Sequence, residues 1–299
     1  MLCLNAGKHV LCEKAFTVNA KQAKVLVETA KKNNLFLMEA VWTRYFPLSI
    51  KIRELVKEEA IGKVHRVIAD LSFAEDAGSD GKLTFPNENR MVNVDLAGGA
   101  LLDLGIYSLT WVFQILYHCQ RGEQKEKPNV LAAINKYHVT GADEQTSIIC
   151  QFPKTNTHGI ATTSLRTATC PDGQGSPAAG PAARIQGTKG EIQVIGPLYR
   201  PEEYRVFKHG GEKGKYESIQ CPIPTDPERG DWGHGMFWEA DEAARCLRDG
   251  KKQSDSMPWE ESLVIMETMD EVRRQGGLVY PDLIETDVFD AKSELNGKV

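Results

Sequence analysis

The segment Leu96–Tyr117, LAGGALLDLGIYSLTWVFQILY, decides the fold of this 299-residue chain. Apolar side chains cover most of its circumference at the helical angle of about 100° per residue, and this pattern predicts a buried helix. Its polar side chains gather on one narrow stripe, which consists of Asp103, Tyr107, Thr110 and Gln114. Because a buried polar group needs a hydrogen-bonding partner, we expect the stripe to face a cleft or a partner. A stripe with a carboxylate and a phenol is the first candidate for chemistry.

A phenol has a pKa of about 10, so Tyr107 can act as a base at neutral pH only beside a cation. The best-placed cation is Lys14, which together with Glu13 ends the short apolar segment 10–12. That segment predicts a strand, and ligands bind at the strand ends of parallel sheets. Plainer interpretations stay open. Tyr107 and Asp103 could be a core aromatic and a cap or ion-pair partner, and Lys14 could be a solvated surface lysine.

The composition limits the partners of the chain. The net charge is -5 and Lys and Arg form only short runs, which argues against nucleic acid or an anionic membrane as the main partner. No apolar run approaches the roughly 18 residues of a membrane span and no signal-peptide pattern is present, so we expect a cytoplasmic protein. The seven cysteines include no Cys-x-x-Cys pair, and no two histidines have the spacing of a helix-borne zinc site. We therefore predict neither a disulfide framework nor a metal site.

The order of predicted elements changes character along the chain. A strand over 10–13, a helix capped by Asn19, a buried strand over 35–42 and a helix that begins at Pro47 indicate a parallel α/β unit. From residue 63 this order of strands and helices gives way to an alternation of apolar and polar residues, which predicts a strand with Val67, Ala69, Leu71 and Phe73 on one side. Further strands are predicted over 130–139, 145–152, 159–166, 183–195, 199–208 and 216–220. Helices follow over 236–249, with Ala240, Ala243, Ala244 and Leu247 on one side, and over 258–275. These strands predict an antiparallel sheet.

Four segments resemble one family, that of the glucose-fructose oxidoreductases and inositol dehydrogenases. They are GKHVLCEKAFTVNA from Gly7, EAVWTRYFP from Glu39, GGALLDLGIY from Gly98 and MPWEESLVIMETMD from Met257. Within the family the resemblance is strongest to the branch of NADP-dependent D-xylose 1-dehydrogenases and dimeric dihydrodiol dehydrogenases. The segments are spread over most of the chain.

The resemblance implies the fold and the domain organisation. Family members have a nucleotide-binding domain that opens with a glycine-rich turn, followed by an antiparallel-sheet domain, but no Gly-x-Gly-x-x-Gly sequence occurs here. We therefore expect a truncated Rossmann-like parallel sheet followed by an open, mainly antiparallel sheet with helices on one face (α/β plus α+β). The expected parts are a nucleotide-domain remnant over 1–44, a substrate and dimerisation domain over 45–281, and a loose tail over 282–299. The helix over 258–275 is expected to pack back on the nucleotide side.

The resemblance also implies catalytic roles. Tyr107 corresponds to the family's general acid/base, and Asp103 to a residue that orients it or a sugar hydroxyl. Lys14 corresponds to a lysine that reaches the nicotinamide ribose and lowers the pKa of the tyrosine, with Glu13 beside it in the family's Glu-Lys turn. The family's usual residue after this lysine is proline, and here it is Ala15.

Further residues are expected in the pocket. Trp42 and Arg44 resemble residues that wall the nicotinamide and substrate pocket, although Trp42 could equally be a core aromatic. Arg66, Phe73 and Trp232 could line the sugar pocket or be strand and loop residues without a ligand.

The implied reaction is oxidation of the anomeric hydroxyl of a small aldose, such as D-xylose, to its lactone. The expected cofactor is NADP, with NAD not excluded, and the expected assembly is a homodimer. One alternative is a dehydrogenase for a trans-dihydrodiol or another polyol. A second is a non-catalytic dimerisation or sugar-binding remnant, because the glycine-rich turn that holds the cofactor phosphates is absent.

Overall fold

The computed structural model describes the chain except for residues 76, 77, 79, 121, 174, 175, 230–232 and 294–299. Its first part is a small α/β layer. The elements are α1 (Leu2–Asn5), β1 (Val10–Glu13), α2 (Ala20–Lys32), β2 (Leu37–Ala40) and α3 (Pro47–Lys57). Strands β1 and β2 pair in parallel, with Val10 opposite Leu37. The predicted start of α2 is confirmed, because the Asn19 side chain accepts a hydrogen bond from the Gln22 main-chain N–H at 3.0 Å.

An eight-stranded sheet forms the larger part of the molecule. Its strands are β3 (Val64–Ser72), β4 (Asn129–Lys136), β5 (Asp143–Phe152), β6 (Thr157–Ser164), β7 (Pro181–Gly187), β8 (Gly190–Ile195), β9 (Glu203–Lys208) and β10 (Glu217–Gln220). The spatial order is β10-β9-β8-β7-β3-β6-β5-β4, and β3 and β6 are the one parallel pair among these strands. The expected open, mainly antiparallel sheet beside a small parallel one is confirmed.

One strand prediction was wrong. The segment expected to form a single strand over 183–195 is the hairpin of β7 and β8, which turns at Thr188 and Lys189. The glycines on either side of the turn let neighbouring main-chain segments approach closely. A Cβ atom at Gly187 would lie 2.3 Å from the Ile61 carbonyl oxygen, and a Cβ atom at Gly190 would lie 2.1 Å from the Phe207 carbonyl oxygen. The turn residues themselves carry no strong turn signal.

The quoted segment forms the expected buried helix, but with a wider first turn. Residues Leu101–Gly105 are π-helical, and α4 (Ile106–Leu116) continues from them with every residue buried. The helix lies on β3 and β6. Gly159 of β6 makes room for it, since a Cβ there would lie 2.2 Å from a methyl group of Val112. The catalytic candidates on this helix are thus held against the centre of the sheet.

Ser108 fixes the position of α4 against the sheet. Its hydroxyl accepts a hydrogen bond from the Leu71 main-chain N–H at 2.9 Å and donates one to the Thr162 carbonyl oxygen at 2.8 Å. Both partners lie toward the carboxyl ends of β3 and β6. The helix therefore carries its polar stripe to the end of the sheet where β3 finishes.

The polar stripe of α4 does not face one cleft along its whole length, contrary to expectation. Asp103 and Tyr107 reach Lys14 and Trp42, as described below. Gln114 is fully buried, and its side-chain amide oxygen (Oε1) accepts a hydrogen bond from Arg53 at 2.8 Å. The hydroxyl of Thr110 is buried without a hydrogen-bond partner among the described atoms. Only the first half of the stripe belongs to a site.

The C-terminal helices connect the two sheets. They are α5 (Phe237–Arg248), α6 (Trp259–Gly276) and α7 (Asp282–Glu285). Helix α6 packs on both β4 and α2, and the Trp259 indole N–H donates to the Leu37 carbonyl oxygen at 2.7 Å. The face predicted for α5 was wrong: the buried side chains are Glu239, Ala243 and Cys246. Ala240, Ala244 and Leu247 are exposed, since the 3₁₀ turn Trp42–Tyr45 packs on the other side of α5.

The beginning of the tail is not loose. The side chains of Asn19 and Gln22 donate hydrogen bonds to carbonyl oxygens of Ile284, Glu285 and Thr286. Glu285 also forms an ion pair with Arg273. Residues 282–286 therefore pack on α2, through polar contacts that a hydrophobic pattern does not reveal.

The face of the large sheet opposite α4 carries an uncovered apolar row. Cross-strand pairing sets Leu131 opposite Ile149, Ile149 opposite Ile160 and Ile160 opposite Ile68. Leu131 is 65% exposed and Ile149 is 41% exposed. Exposed apolar rows of this kind mark association surfaces.

Candidate active site

Lys14 and Asp103 meet at the carboxyl end of β1. The Lys14 ammonium lies 2.7 Å from the Asp103 carboxylate and 2.7 Å from the Asp103 carbonyl oxygen. Arg90 adds a second cation at 3.0 Å from the same carboxylate oxygen. Burial opposes ionisation of Asp103, but Lys14 and Arg90 outweigh it and lower the pKa of the carboxyl group. Asp103 is therefore a carboxylate at neutral pH and holds Lys14 in place.

Tyr107 lies beside this ion pair. The Lys14 ammonium is 5.2 Å from the centre of the Tyr107 ring, and the hydroxyl group accepts a short hydrogen bond from the Trp42 indole N–H. The sequence therefore identified three side chains that do come together, although Lys14 and Tyr107 are separated by 93 positions. A phenol, an ammonium and a carboxylate in one place can position a hydroxyl group and exchange its proton.

The surroundings of Tyr107 shift its pKa upward overall, whereas a lowered pKa was expected beside Lys14. Burial raises the pKa of Tyr107 well above its ordinary value, and the charges of Asp103, Glu13 and Glu239 raise it further. The hydrogen bond from Trp42 lowers the pKa, by less than burial raises it. The ammonium of Lys14 lies over the face of the ring instead of beside the hydroxyl, and Asp103 already balances its charge. Tyr107 is therefore a neutral phenol in this state of the protein.

Aromatic rings form one wall of the site. The ring of Tyr199 lies with its centre 6.3 Å from that of Tyr107 and 5.8 Å from that of Trp42. Phe73 follows β3, is 44% exposed and lies 6.3 Å from Tyr199. Phe73 is thus near the site, although its exposure departs from the predicted alternation. Sequence reasoning missed Tyr199, which precedes β9 in a loop and has no motif around it.

Arg44 does not lie in an open pocket, contrary to expectation. Its side chain is 0% exposed, and its guanidinium bonds to Glu261 at 2.6 Å and to the Ser256 carbonyl oxygen at 2.8 Å. Glu261 also bonds to His118 at 2.8 Å. Arg44 therefore connects the segment after β2 to α6, and this contact leaves it unable to touch a ligand. The EAVWTRYFP pattern fixes its place in sequence but not the direction of its side chain.

Arg66 and Glu13 are not part of the ring of contacts around Tyr107. Arg66 points to the sheet face opposite α4, near the start of β3, and bonds to Gln186 at 2.5 Å. Its expected place in the sugar pocket is wrong, because the site lies at the other end of that strand. Glu13 is exposed at the end of β1, next to Lys14. Trp232 lies outside the described residues.

The structure indicates no metal centre and no membrane span in the part it describes. Within the described ranges, no three His, Cys, Asp or Glu side chains gather where they could hold a metal ion. None of the helices in those ranges combines the length and apolar surface needed to cross a bilayer.

The small parallel sheet beside a large, mainly antiparallel one is the fold of a GFO/IDH/MocA-like oxidoreductase, as the comparisons with known proteins indicate. A model of the GFO/IDH/MocA C-terminal domain matches residues 49–193. The chain is 62% identical over 296 residues to the D-xylose 1-dehydrogenase (NADP(+)) of Hypocrea jecorina, covering 99% of this chain and 74% of that protein. It is 34% identical over 281 residues to the trans-1,2-dihydrobenzene-1,2-diol dehydrogenase of Macaca fuscata fuscata, covering 94% and 74%. The chain belongs to the GFO/IDH/MocA family of oxidoreductases.

Structural comparison supports the fold. The aldose-aldose oxidoreductase of Caulobacter crescentus, solved with glycerol, superposes with a TM-score of 0.70 at 19% identity, covering 92% of this chain and 72% of that one. At this identity the likeness concerns the fold alone. The family expected from the four quoted segments is therefore confirmed.

Proposed function

We propose that this protein oxidises the anomeric hydroxyl of a small aldose such as D-xylose to the lactone, with NADP as hydride acceptor. The observation that carries the proposal is the convergence of Lys14, Asp103, Tyr107 and Trp42 in a chain 62% identical to a D-xylose 1-dehydrogenase (NADP(+)). The 34% identity to dihydrodiol dehydrogenases supports oxidation of a polyol as a second candidate.

The residues at the end of β1 fit the nicotinamide end of such a cofactor. A lysine ammonium has three N–H groups, and Lys14 uses two of them on Asp103. The third is left to donate to a ribose hydroxyl. Glu13 precedes Lys14 in the sequence, and Trp42 reaches the same site through its hydrogen bond to Tyr107. When bound, the nicotinamide supplies the acceptor for the hydride.

The proton of the sugar hydroxyl goes to Tyr107 in this proposal. The reaction breaks the C1–H bond with its electron pair and the O1–H bond as a proton, and C1 becomes a carbonyl carbon. The Trp42 N–H stabilises the phenolate, because it donates to that oxygen. Lys14, held by Asp103, keeps the substrate hydroxyl and the phenol in one place.

We also propose a domain organisation for the chain. Residues 1–44 form the nucleotide-side part and residues 45–281 form the substrate part, with α6 packed on both. Self-association through the uncovered face of the large sheet is supported by the row Leu131, Ile149, Ile160 and Ile68. A cytoplasmic location is supported by cysteines that are all free thiols.

The test is turnover of the 299-residue chain with NADP+ or NAD+ and with D-xylose or a trans-dihydrodiol. We expect NADPH formation with D-xylose, at a higher kcat/KM than with the dihydrodiol. Fluorescence titration with NADPH measures cofactor binding separately. Saturable sugar binding without NADPH binding would leave the non-catalytic, sugar-binding alternative and contradict the enzymatic proposal.

A further inference from the structure

The helical turn that carries Asp103 has no cap in its own sequence. The first N–H groups of a helix have no partner inside the helix, and a Ser, Thr, Asp or Asn side chain just before it usually accepts from them. Here the residue before the π-helical turn Leu101–Gly105 is Ala100, which has no side-chain acceptor. The same turn provides both oxygen atoms that hold the Lys14 ammonium. Its position therefore decides where the ion pair of the site forms.

Asp143 supplies the missing acceptor from another element. It is the first residue of β5, and its Oδ2 atom accepts a hydrogen bond from the Leu101 main-chain N–H at 2.6 Å. The Thr146 hydroxyl donates to the same oxygen at 3.3 Å. Asp143 is 0% exposed, and burial raises the pKa of its carboxyl group to about 6, so the group is ionised at neutral pH. A carboxylate at the positive end of a helix makes a strong, charge-assisted contact.

Gly99 lets this carboxylate approach the turn. Gly99 forms an isolated parallel bridge with Asp143, at a φ of +136° that side chains rarely permit. A Cβ atom at Gly99 would collide with the second carboxylate oxygen, Oδ1. That oxygen is buried and bonds to no described atom, so it packs against the Gly99 main chain. A side chain at position 99 would therefore push the carboxylate away from Leu101.

The contact with Asp143 bears directly on the site, because the third residue of the turn is Asp103. The Asp103 carboxylate and its carbonyl oxygen each accept from the Lys14 ammonium at 2.7 Å, and Tyr107 follows one helical turn later. The Thr163 hydroxyl, which also faces the start of the turn, lies at the longer distance of 3.5 Å from the carbonyl oxygen of residue 100. A shift of the turn by about 1 Å would lengthen both bonds to Lys14, and a misplacement of that size can lower turnover by about 10²-fold.

We propose that Asp143 is a positioning residue for the reaction, which holds the turn 101–105 where Asp103 and Tyr107 meet Lys14. This inference rests on the proposed function and adds to it a residue that acts through the turn, without a contact of its own to the sugar or the cofactor. It also gives a physical reason for Gly99, which has no side chain because the Asp143 carboxylate occupies that space.

The first test separates the acceptor oxygen from the rest of the side chain. Asp143→Ala removes the acceptor, so kcat with D-xylose should fall by roughly 10²-fold while KM changes by at most about threefold, because a reacting geometry is lost and no substrate contact is. Asp143→Asn keeps the size and one acceptor oxygen, so its kcat should stay within about tenfold of the wild-type value. Asp270→Asn is the matched control, since the Asp270 carboxylate accepts from the Ala20 main-chain N–H at 2.9 Å, at the start of α2, and its loss should leave kcat unchanged.

The second test measures the position of Lys14 without substrate or cofactor. The Lys14 side chain is 15% exposed and paired with Asp103, so it should react slowly with acetic anhydride, as measured by mass spectrometry of the labelled chain. In Asp143→Ala we expect Lys14 to react several-fold faster, whereas Lys127, which is 61% exposed, should react as in the wild type. A general loss of stability would raise the labelling of many lysines together, so the ratio of the two rates reports on the site.

A third variant tests the contact from the other side. Gly99→Ala places a methyl group against the carboxylate, so it should lower kcat and speed the labelling of Lys14 as Asp143→Ala does. The double variant should be no worse than the more damaged single variant, because both changes remove one contact. Gly141→Ala is the control, since Gly141 also has a positive φ, of +81°, but a Cβ atom there would meet nothing within 4 Å.

The same data separate this inference from the proposed function. Equal labelling of Lys14 in all variants, or a kcat of Asp143→Asn as low as that of Asp143→Ala, would overturn the positioning role. Losses that multiply in the double variant would overturn it as well. If the wild type forms no NADPH with any substrate, the proposed function is contradicted, and the labelling still decides whether Asp143 places Lys14.

Discussion

At the scale of single residues, the indole of Trp42 sets the acidity of the phenol. Trp42→Phe keeps an aromatic ring but removes the N–H that stabilises the phenolate, so the pKa of Tyr107 should rise further. Because the ionised phenol is the base, the pH profile of kcat/KM should move to higher pH. We expect about a tenfold loss at neutral pH, the value of one hydrogen bond of about 1.4 kcal/mol.

The control for this variant is Trp238→Phe. Trp238 packs on Phe46 with ring centres 4.6 Å apart, and no hydrogen bond connects it to Tyr107. Its pH profile should match that of the wild type. An unshifted profile for Trp42→Phe would show that the indole does not act on the phenol.

Tyr107 itself is expected to be indispensable for turnover. Tyr107→Phe removes the proton acceptor, so kcat should fall by about 10²–10⁴-fold, the usual contribution of general acid–base catalysis. The affinity for D-xylose should change little, because Lys14 and Asp103 remain. Steady-state kinetics and calorimetry measure the two quantities. Tyr117→Phe is the matched control, since that hydroxyl bonds to Glu260 at 2.8 Å and should leave kcat unchanged.

At the scale of secondary structure, the Arg44–Glu261 pair joins the segment after β2 to α6. Both side chains are 0% exposed, so Glu261→Gln leaves a buried guanidinium without its carboxylate. We expect the free energy of unfolding to fall by about 3–5 kcal/mol in urea. Glu267→Gln removes the partner of Lys127 from an exposed pair and should cost at most about 1 kcal/mol.

The double variant Arg44→Met/Glu261→Leu tests whether the loss comes from the unpaired charge. It should recover most of the stability, because apolar side chains often replace a buried pair without loss. If the double variant is as unstable as Glu261→Gln, the loss of stability does not come from the unpaired charge. The hydrogen-bonded arrangement of Arg44 and Glu261 itself would then stabilise the fold.

The pH dependence of this pair follows from the pKa of Glu261. Burial raises that pKa, but Arg44 and His118 outweigh burial and the pKa is lowered. The stabilisation is therefore present above the unfolded pKa of about 4.3 and disappears as the pH falls through the folded value. Below pH 4 the wild type should lose stability more steeply than Glu261→Gln in urea titrations.

At the scale of the whole molecule, the uncovered face of the large sheet predicts a dimer. Leu131→Glu places a charge at the most exposed position of the apolar row, so we expect the dimer to dissociate at micromolar concentration. Light scattering after size-exclusion chromatography measures the mass. Leu283→Glu, at the exposed α7, is the matched control and should leave the mass unchanged. An unchanged mass for Leu131→Glu would place the interface elsewhere.

The sequence alone determined the elements and the identity of the family. The Asn19 cap, Pro47 at the first turn of α3 and the alternation of Val67, Ala69 and Leu71 are local patterns, and local patterns specify period and burial. Lys14 was placed at a strand end for the same reason, because the apolar segment before it is also a local pattern.

Only the tertiary structure decided which groups meet. The partner of the Lys14 ammonium is Asp103, and Trp42 donates to the Tyr107 hydroxyl. Burial of that phenol raises its pKa by more than the Trp42 hydrogen bond lowers it. Arg44 is buried against Glu261, and the ring of Tyr199 lies with its centre 6.3 Å from that of Tyr107. These contacts join residues far apart in sequence. Their geometry depends on how helices and sheets pack against each other, and the hydrophobic periodicity of the sequence does not specify that packing.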